Sequence, residues 1–284
     1  MKILITGKDS YIGTSFEKWV KQDNPEWQID TVDTKGEEWK KMSFSEYDTI
    51  FHVAGIAHVS SDPKLEELYY KVNRDLTIDI AKKAKAEGVK QFVFMSSIIV
   101  YGNGEKVITK HTVPKPENFY GNSKLQADEG IQQLQDSKFN VVSIRPPMIY
   151  GKGSKGNYPK LAKLAQITPV FPNIDNSRSM LHIDNLCECI RLIIKNNEKG
   201  YFYPQNKEYV NTTYLVKTIA EVHHKKVYVT KVFNPIVQVM INKINLANKV
   251  FGNLTYDESM SNYMDFKYCV RTFKESIELT QEEK

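Results

Sequence analysis

The sequence predicts an α/β fold in which a doubly wound parallel sheet is followed by a smaller C-terminal lobe. In the first half of the chain, short β-branched runs alternate with longer segments of helical periodicity, as in successive βαβ units. After Gly151 the composition changes, and residues 151–176 are too irregular, with many Gly, Pro, Asn and aromatic residues, for another such unit. We therefore expect one domain over residues 1–150, completed by a returning segment near 178–212, and a second lobe that makes up most of 151–284.

The predicted elements follow one another in the order that a parallel sheet requires. Strands are expected at residues 2–6, 28–33, 49–54, 91–96 and 140–145, with helices at 11–21, 65–87 and 118–134. Gly88 is placed to end the second helix, and the pair Pro146–Pro147 to stop the last strand. Further helices are expected after Asp184 as far as Lys195 and over 235–250, and residues 280–284 are expected to form a polar tail.

The amphipathic segment 235–250 allows two interpretations. Its apolar side chains, together with Lys243 and Lys249, are compatible with a helix that lies on a membrane surface. We favour the alternative, in which the apolar face covers the second lobe, as such helices usually do in globular proteins.

Composition excludes several classes of protein. The chain has 284 residues, of which 41% are hydrophobic and 26% charged, as in ordinary globular proteins. It has no apolar run of the roughly 18–20 residues that a membrane span requires, and its N-terminus lacks the pattern of a signal peptide, so we expect a cytoplasmic protein. A net charge of +5 without an Arg-rich patch argues against nucleic-acid binding. Neither the three cysteines (Cys187, Cys189 and Cys269) nor the pair His223–His224 has the spacing of a metal site, so no metal is expected.

A glycine-containing turn, Gly7–Gly13, follows the first predicted strand and opens the first predicted helix. A strand, a tight turn and a helix N-terminus in this order present backbone N–H groups to a pyrophosphate, which predicts a Rossmann-type dinucleotide site. Position 10, where the motif would have a further glycine, is Ser10, whose N–H remains and whose hydroxyl can donate a hydrogen bond. The expected contacts are Gly7, Ser10, Tyr11, Ile12 and Gly13. An ordinary βα turn is the alternative.

The carboxylate of Asp33 is expected to select the cofactor. Asp33 ends the second predicted strand, 20 residues after Gly13, where a carboxylate accepts hydrogen bonds from the hydroxyls of the adenosine ribose. It would repel a 2′-phosphate, which favours NAD over NADP, although Lys35 nearby moderates that preference.

Tyr120 and Lys124 are the candidate catalytic pair. They stand four residues apart, on one face of the helix predicted at 118–134. A nearby ammonium and the positive charge of an oxidised nicotinamide should both lower the pKa of a phenol, which would allow Tyr120 to exchange a proton during hydride transfer. Lys124 can also donate to the nicotinamide ribose. Ser96 and Ser97 follow the strand predicted at 91–96, where a hydroxyl can hydrogen-bond the reacting oxygen.

Together these motifs resemble an extended short-chain dehydrogenase/reductase of the nucleotide-sugar epimerase/dehydratase family. The resemblance covers about the first 200 residues and rests on motifs in the family's order: Gly7–Gly13, His52–Gly55, Ser96–Gly102, Tyr120–Lys124 and Arg145–Gly151. It implies that Ser97, rather than Ser96, is the catalytic hydroxyl, that Tyr120 is the acid/base and that Lys124 holds the ribose. It also implies that Ala54, Gly55 and Pro147 contact the cofactor.

The two residues after Ser97 restrict the reaction. The 4,6-dehydratases of this family carry an Asp–Glu pair there, whereas this chain has Ile98 and Ile99, which cannot move a proton. We therefore expect no dehydration. A UDP-sugar 4-epimerase is slightly favoured, and an NAD(P)H-dependent 4-keto-6-deoxy-sugar reductase of surface polysaccharide synthesis stays open. The alternative from another class is a non-catalytic protein that senses the dinucleotide.

The resemblance further implies a nucleotide-diphosphate sugar as substrate, with UDP as the expected nucleotide. Arg178 matches the family's phosphate-binding arginine, and a guanidinium suits bidentate binding of a phosphate. Asn157 resembles the family's substrate-contacting asparagine. Because family members often pair through a four-helix interface, a homodimer is compatible with the resemblance, although the sequence does not fix the oligomeric state.

Overall fold

The computed structural model describes residues 1–57, 62–243 and 245–282. Within them, the strands are β1 (Lys2–Thr6), β2 (Gln28–Val32), β3 (Thr49–His52), β4 (Gln91–Met95), β5 (Val107–Ile108), β6 (Asn140–Ile144), β7 (Met148–Tyr150), β8 (Val170–Pro172), β9 (Met180–His182), β10 (Gly200–Phe202), β11 (Tyr228–Thr230) and β12 (Thr255–Tyr256). The α-helices are α1 (Tyr11–Asp23), α2 (Glu38–Lys41), α3 (Glu66–Tyr69), α4 (Leu76–Ala86), α5 (Phe119–Gln132), α6 (Asn157–Ile167), α7 (Ile183–Lys195), α8 (Thr212–Val222), α9 (Asn234–Lys243), α10 (Asn245–Phe251), α11 (Glu258–Ser261) and α12 (Phe273–Gln281).

The chain divides into two compact units. Unit 1 comprises Met1–Asn103, Thr112–Pro146 and Leu186–Pro204, and unit 2 comprises Gly104–His111, Pro147–Asn185 and Gln205–Lys284. No sequence pattern indicates that residues 104–111 belong with the C-terminal part of the chain. Which unit holds the dinucleotide and which the sugar stays a prediction.

Unit 1 is built on a six-stranded parallel sheet with the order β10-β6-β4-β3-β1-β2 in the described residues. This is the doubly wound Rossmann-type sheet that the sequence predicts. The chain moves outward from β1 to β2 and then returns to place β3 on the other side of β1. Ligands of such sheets bind at this reversal, beside the carboxyl ends of the strands.

Burial explains the different compositions of the central and edge strands of unit 1. All residues of β3 and β4 are buried, as parallel strands covered on both faces require, whereas β2 lies at the edge and is partly exposed. The side chain of His52 in β3 is fully buried, and it hydrogen-bonds Thr6 Oγ1 through Nδ1 (2.6 Å) and Thr77 Oγ1 through Nε2 (3.0 Å). Burial lowers the pKa of His52 to about 3, so its ring stays neutral.

Unit 2 contains three short parallel strand pairs, β7 with β9, β8 with β11 and β5 with β12. Its core is formed largely by apolar side chains of α6, α8 and α12, among them Leu161, Ile219 and Ile277. No helix within the described residues is long and apolar enough to cross a membrane.

Three expectations about local structure need correction. Residues 151–176 are more regular than expected, because α6 and β8 form there, and β8 acquires its partner only from β11. The helix expected over 235–250 is two helices, α9 and α10, and residue 244 lies outside the described residues. In the expected tail, Thr280 and Gln281 belong to α12, while 283–284 lie outside the described residues.

Candidate active site

The turn after β1 has the backbone geometry that a phosphate-binding turn needs. Gly7 has a φ of +114°, and a Cβ at this position would stand 2.8 Å from the backbone nitrogen of Ala54. Its N–H donates to Val32 O (3.0 Å), which fixes the turn to the end of β2. Ser10 is the N-cap of α1, and its hydroxyl oxygen accepts from the N–H of Gly13 (3.2 Å).

Helix α1 begins at Tyr11, so Tyr11, Ile12 and Gly13 form its first three positions. The first amides of a helix lack carbonyl partners inside it, and the helix dipole favours an anion at this end. A Cβ on Gly13 would stand 2.6 Å from Ser10 Oγ and 3.0 Å from a methyl group of Ile5. The turn therefore fits a dinucleotide pyrophosphate by backbone shape and by its donor set.

The segment after β3 lies against the same turn. The N–H groups of Val53 and Ala54 both donate to Thr6 O at 3.0 Å, at the end of β1. Asp33 directly follows β2, is exposed, and accepts from the N–H of Lys35 (3.0 Å). The predicted cofactor residues of the Gly7–Gly13 turn, Asp33 and the Ala54–Gly55 segment thus follow three neighbouring strands of the sheet at their carboxyl ends.

Lys124 is held in a buried position in α5. Its ammonium donates to Met95 O (2.9 Å) and lies 4.6 Å from the centre of the Phe94 ring. A Cβ on Gly55 would stand 3.1 Å from the Lys124 Nζ and 3.0 Å from Asn73 Oδ1, so a larger residue there would press on both groups. Since an ammonium has three N–H donors, the lysine has further donors suited to ribose hydroxyls.

Asn73 is a residue of this site that the sequence analysis missed. Its side chain accepts from the N–H of Ile56 (2.8 Å) and donates to Ile56 O (3.1 Å) and to Ser123 Oγ (3.2 Å). It lies in a π-helical turn, Tyr70–Asp75, inside the region expected to be one regular helix. Such turns often occur at functional sites, but helical periodicity alone gives no signal for them.

Ser97 and Tyr120 are brought together by the two elements that carry them. Ser97 is the N-cap of the 3-10 turn Ile98–Tyr101 directly after β4, and Tyr120 is in the first turn of α5, whose N-cap is Asn118. The Ser97 side chain is close enough to the Tyr120 phenol to lower its pKa. The three predicted catalytic side chains therefore all belong to unit 1.

The expected lowering of the Tyr120 pKa is not found in the protein by itself. Burial raises the pKa of Tyr120 to about 12, Tyr69 adds to the rise, and the hydrogen bond with Ser97 opposes it. Burial also lowers the pKa of Lys124 to about 8, against the effect of Asp128. Tyr120 is thus a protonated donor at neutral pH, since loss of water around the phenolate outweighs the ammonium on which the sequence argument relied.

A buried ion pair between Asp128 and Arg145 lies next to this site. Asp128, one helical turn after Lys124, accepts through Oδ2 from Arg145 Nε (3.0 Å) and from the Ser96 hydroxyl (2.8 Å). Arg145 Nη1 also donates to the hydroxyl of Tyr101 (2.9 Å). Ser96 thus donates to Asp128, whereas its neighbour Ser97 acts on the pKa of Tyr120, so the two candidate serines have different surroundings.

Arg178, Asn157 and Pro147 belong to unit 2. Arg178 donates through Nη1 to Gly252 O (2.8 Å) and Asn248 O (3.4 Å), while its Nε has no hydrogen-bond partner among the described residues. Burial lowers the pKa of Arg178 to about 10, which leaves the guanidinium charged at neutral pH. Asn157 is the first residue of α6, and Pro147 is buried directly before β7. Their roles stay predictions.

Other candidate chemistry is absent from the part of the chain that the structure describes. No group of three or more His, Cys, Asp or Glu residues there could hold a metal ion. The ring Nε2 of His223 lies within hydrogen-bond distance of Gln166 Nε2 (3.0 Å) and Gln281 Oε1 (2.9 Å). Cys187 and Cys189 are buried, Cys269 is partly buried, and all three are free thiols.

Comparison with known proteins identifies the family. A sequence model of the NAD dependent epimerase/dehydratase family matches residues 3–203. A UDP-glucose 4-epimerase of Vibrio cholerae is 30% identical over 246 residues, which cover 77% of this chain and 74% of the relative. This protein therefore belongs to the NAD dependent epimerase/dehydratase family.

Solved structures confirm the fold. A UDP-glucuronic acid 4-epimerase from Bacillus cereus in complex with NAD has a TM-score of 0.76 at 16% identity and covers 99% of this chain and 96% of its own. A dTDP-4-dehydrorhamnose reductase from Clostridium acetobutylicum has a TM-score of 0.74 at 18% identity, with coverages of 99% and 98%. Epimerases and reductases thus share this architecture, so the reaction must be argued from the site.

Proposed function

We propose that this protein is an NAD-dependent nucleotide-sugar 4-epimerase that acts on a UDP-linked sugar. The observation that carries the proposal is that Ser97 and Tyr120 interact in the same unit that holds the buried Lys124. This set supplies one proton-exchanging phenol, one hydroxyl for the reacting oxygen and one cation for the cofactor ribose. Reversible oxidation at a single carbon needs no further acid or base.

The residues of the chain divide this work by position. Tyr120 holds or accepts the proton of the C4 oxygen, and Ser97 keeps its hydrogen bond to both the phenol and that oxygen. Lys124 donates to the ribose, and Gly55, which has no side chain, leaves space beside the ammonium of Lys124. A bound nicotinamide supplies the hydride acceptor and, in its oxidised form, a positive charge that favours the phenolate.

Three further features support this choice. Ile98 and Ile99 follow Ser97, and neither side chain can protonate or deprotonate a sugar, which argues against dehydration. The carboxylate of Asp33 is exposed after β2 and favours NAD, because it would repel the 2′-phosphate of NADP. In unit 2, the unpaired Nε of Arg178 is a donor suited to the substrate diphosphate.

The test is incubation of the purified protein with UDP-glucose, UDP-galactose and their N-acetyl forms without added cofactor. A C4 pair should interconvert, as followed by NMR of the anomeric protons. Turnover that appears only with a 4-keto sugar and stoichiometric reduced nicotinamide would refute the epimerase and support the reductase.

Tyr120→Phe should abolish turnover while the protein still binds the dinucleotide. Tyr214→Phe, which changes an exposed tyrosine of α8 in the same way, is the matched control and should keep full activity. Dinucleotide binding by the unaltered protein without turnover of any of these sugars would instead support a sensing protein.

A further inference from the structure

Unit 2 carries an apolar surface that its own fold leaves exposed. Of the 18 large hydrophobic residues that are exposed in the described chain, nine lie in residues 164–170 and 228–239. We call the basic apolar face the surface formed by six of them, with exposed fractions from 40% to 77%: Ile167, Val170, Tyr228, Val232, Ile236 and Val239. Exposed apolar residues concentrated in this way usually mark an interaction surface.

The elements that carry this face are joined to one another. Val170 in β8 pairs with Tyr228 in β11, which sets their side chains next to each other on one side of the strand pair. Asn234, at the start of α9, donates through Nδ2 to Asn173 O (2.8 Å) directly after β8. The face is therefore one surface and not a scatter of separate residues.

Helix α9 presents apolar side chains in two directions. Val237 is 7% exposed and packs into unit 2, whereas Ile236 and Val239 are 62% and 54% exposed. Ile236 and Val239 have the spacing i, i+3 of a single stripe on α9, the exposed Lys243 continues it, and Val232 lies in the turn before the helix. Helix α9 thus covers unit 2 with one side only. Its other side is exposed and is compatible with the membrane-surface interpretation of this segment.

The sequence segments that carry the face are rich in lysine. Residues 152–174 and 223–256, which include the whole face, contain nine lysines and no aspartate or glutamate, although the full chain has 34 acidic residues in 284. Lys160, Lys163, Lys225, Lys231 and Lys243 are exposed. A second copy of this chain fits poorly, because it would bring two surfaces of the same charge together.

We propose that unit 2 binds the surface of an anionic phospholipid bilayer through the basic apolar face. The apolar side chains enter the boundary between headgroups and acyl chains, and the lysines pair with lipid phosphates. Exposed apolar side chains on lysine-rich segments are typical of surfaces that bind anionic membranes. The proposal is independent of the reaction at Tyr120.

The experiment is flotation of the full chain with phosphatidylcholine vesicles and with mixed phosphatidylcholine–phosphatidylglycerol vesicles. We expect binding to the anionic vesicles only, weakened by added salt. Ile236→Glu should reduce the partition coefficient at least about tenfold, since it places a carboxylate where an apolar side chain would enter the bilayer. Lys231→Gln combined with Lys243→Gln should reduce it about 25-fold, from roughly fivefold per lysine.

Val113→Glu is the matched control, because Val113 is 79% exposed in unit 1 and lies outside the face. It should bind like the unaltered protein, and all variants should keep their activity on a water-soluble nucleotide sugar and their thermal stability. Equal flotation with neutral and anionic vesicles, or equal loss in Val113→Glu and Ile236→Glu, would overturn the proposal. A change of oligomeric state in Ile236→Glu would also overturn it, in favour of a self-association surface.

Discussion

The ionisation of Tyr120 gives the sharpest test of the proposed chemistry. With a pKa raised to about 12 by burial, the phenol at pH 7 is ionised in only about one molecule in 10⁵. An opposite charge within about 4–6 Å lowers a pKa by 1–3 units, which would raise the ionised fraction to about one in 10²–10⁴. NAD⁺ carries such a charge on its ring and NADH does not, although both have the same diphosphate.

The assay is a pH titration of tyrosinate absorbance, carried out on the protein alone and with saturating NAD⁺ or NADH. The chain has 16 tyrosines, so the signal of Tyr120 is obtained as the difference between the unaltered protein and Tyr120→Phe. We expect the difference titration to move to lower pH with NAD⁺ by about 1–3 units relative to NADH.

Two results would refute this reasoning. Ionisation of Tyr120 near neutral pH without cofactor would show that burial does not control its pKa. Identical titrations with NAD⁺ and NADH would show that the ring charge does not reach the phenol. Ser97→Ala should move the titration of the protein alone to higher pH, because the hydrogen bond from Ser97 holds the pKa down.

Three further predictions concern the structure around this site. Gly13→Ala should weaken dinucleotide binding at least about tenfold and cost about 1–3 kcal/mol of stability, because its Cβ would stand 2.6 Å from Ser10 Oγ. Calorimetry measures both losses. It should show neither in the control Gly36→Ala, since nothing lies within 4 Å of a Cβ at that position. Asp128→Asn should lower the free energy of unfolding in urea by about 3–5 kcal/mol, since it leaves a buried guanidinium without its carboxylate, and a loss below about 1 kcal/mol would contradict a structural ion pair. The folded pKa of His52, about 3, is below its unfolded value of about 6.5, so its contribution to stability should fall by about 1.4 kcal/mol per pH unit as the pH drops between these values. His52→Gln should remove that part of the acid sensitivity, and urea unfolding curves of equal pH dependence would speak against it.

Local sequence signals predicted the elements that are determined locally. The bounds of β1 agree with the expectation, α1 starts at Tyr11 after the expected turn, and Asn118 caps α5. These features depend on β-branched runs, glycine turns and capping side chains, which act over a few residues. The Tyr120–Lys124 motif could be predicted from the sequence for the same reason, since both residues lie in one helix.

What the sequence alone could not provide are the properties that depend on distant neighbours. Asn73 is a site residue only because the chain brings it to Ile56 and Ser123. The strand β8 was missed because its partner β11 lies more than 50 residues further along the chain.

Sequence by itself determined the parallel sheet, the family and the chemical types at the site, because each is encoded in local patterns of residues. Tertiary structure decided the ionisation of Tyr120, the distinct partners of Ser96 and Ser97, and which side of α9 faces outward. The ionisation depends on how much water the surrounding fold removes from the phenol, and burial is a property of the assembled chain. The partners of the serines and the exposed side of α9 depend on which groups the fold brings together.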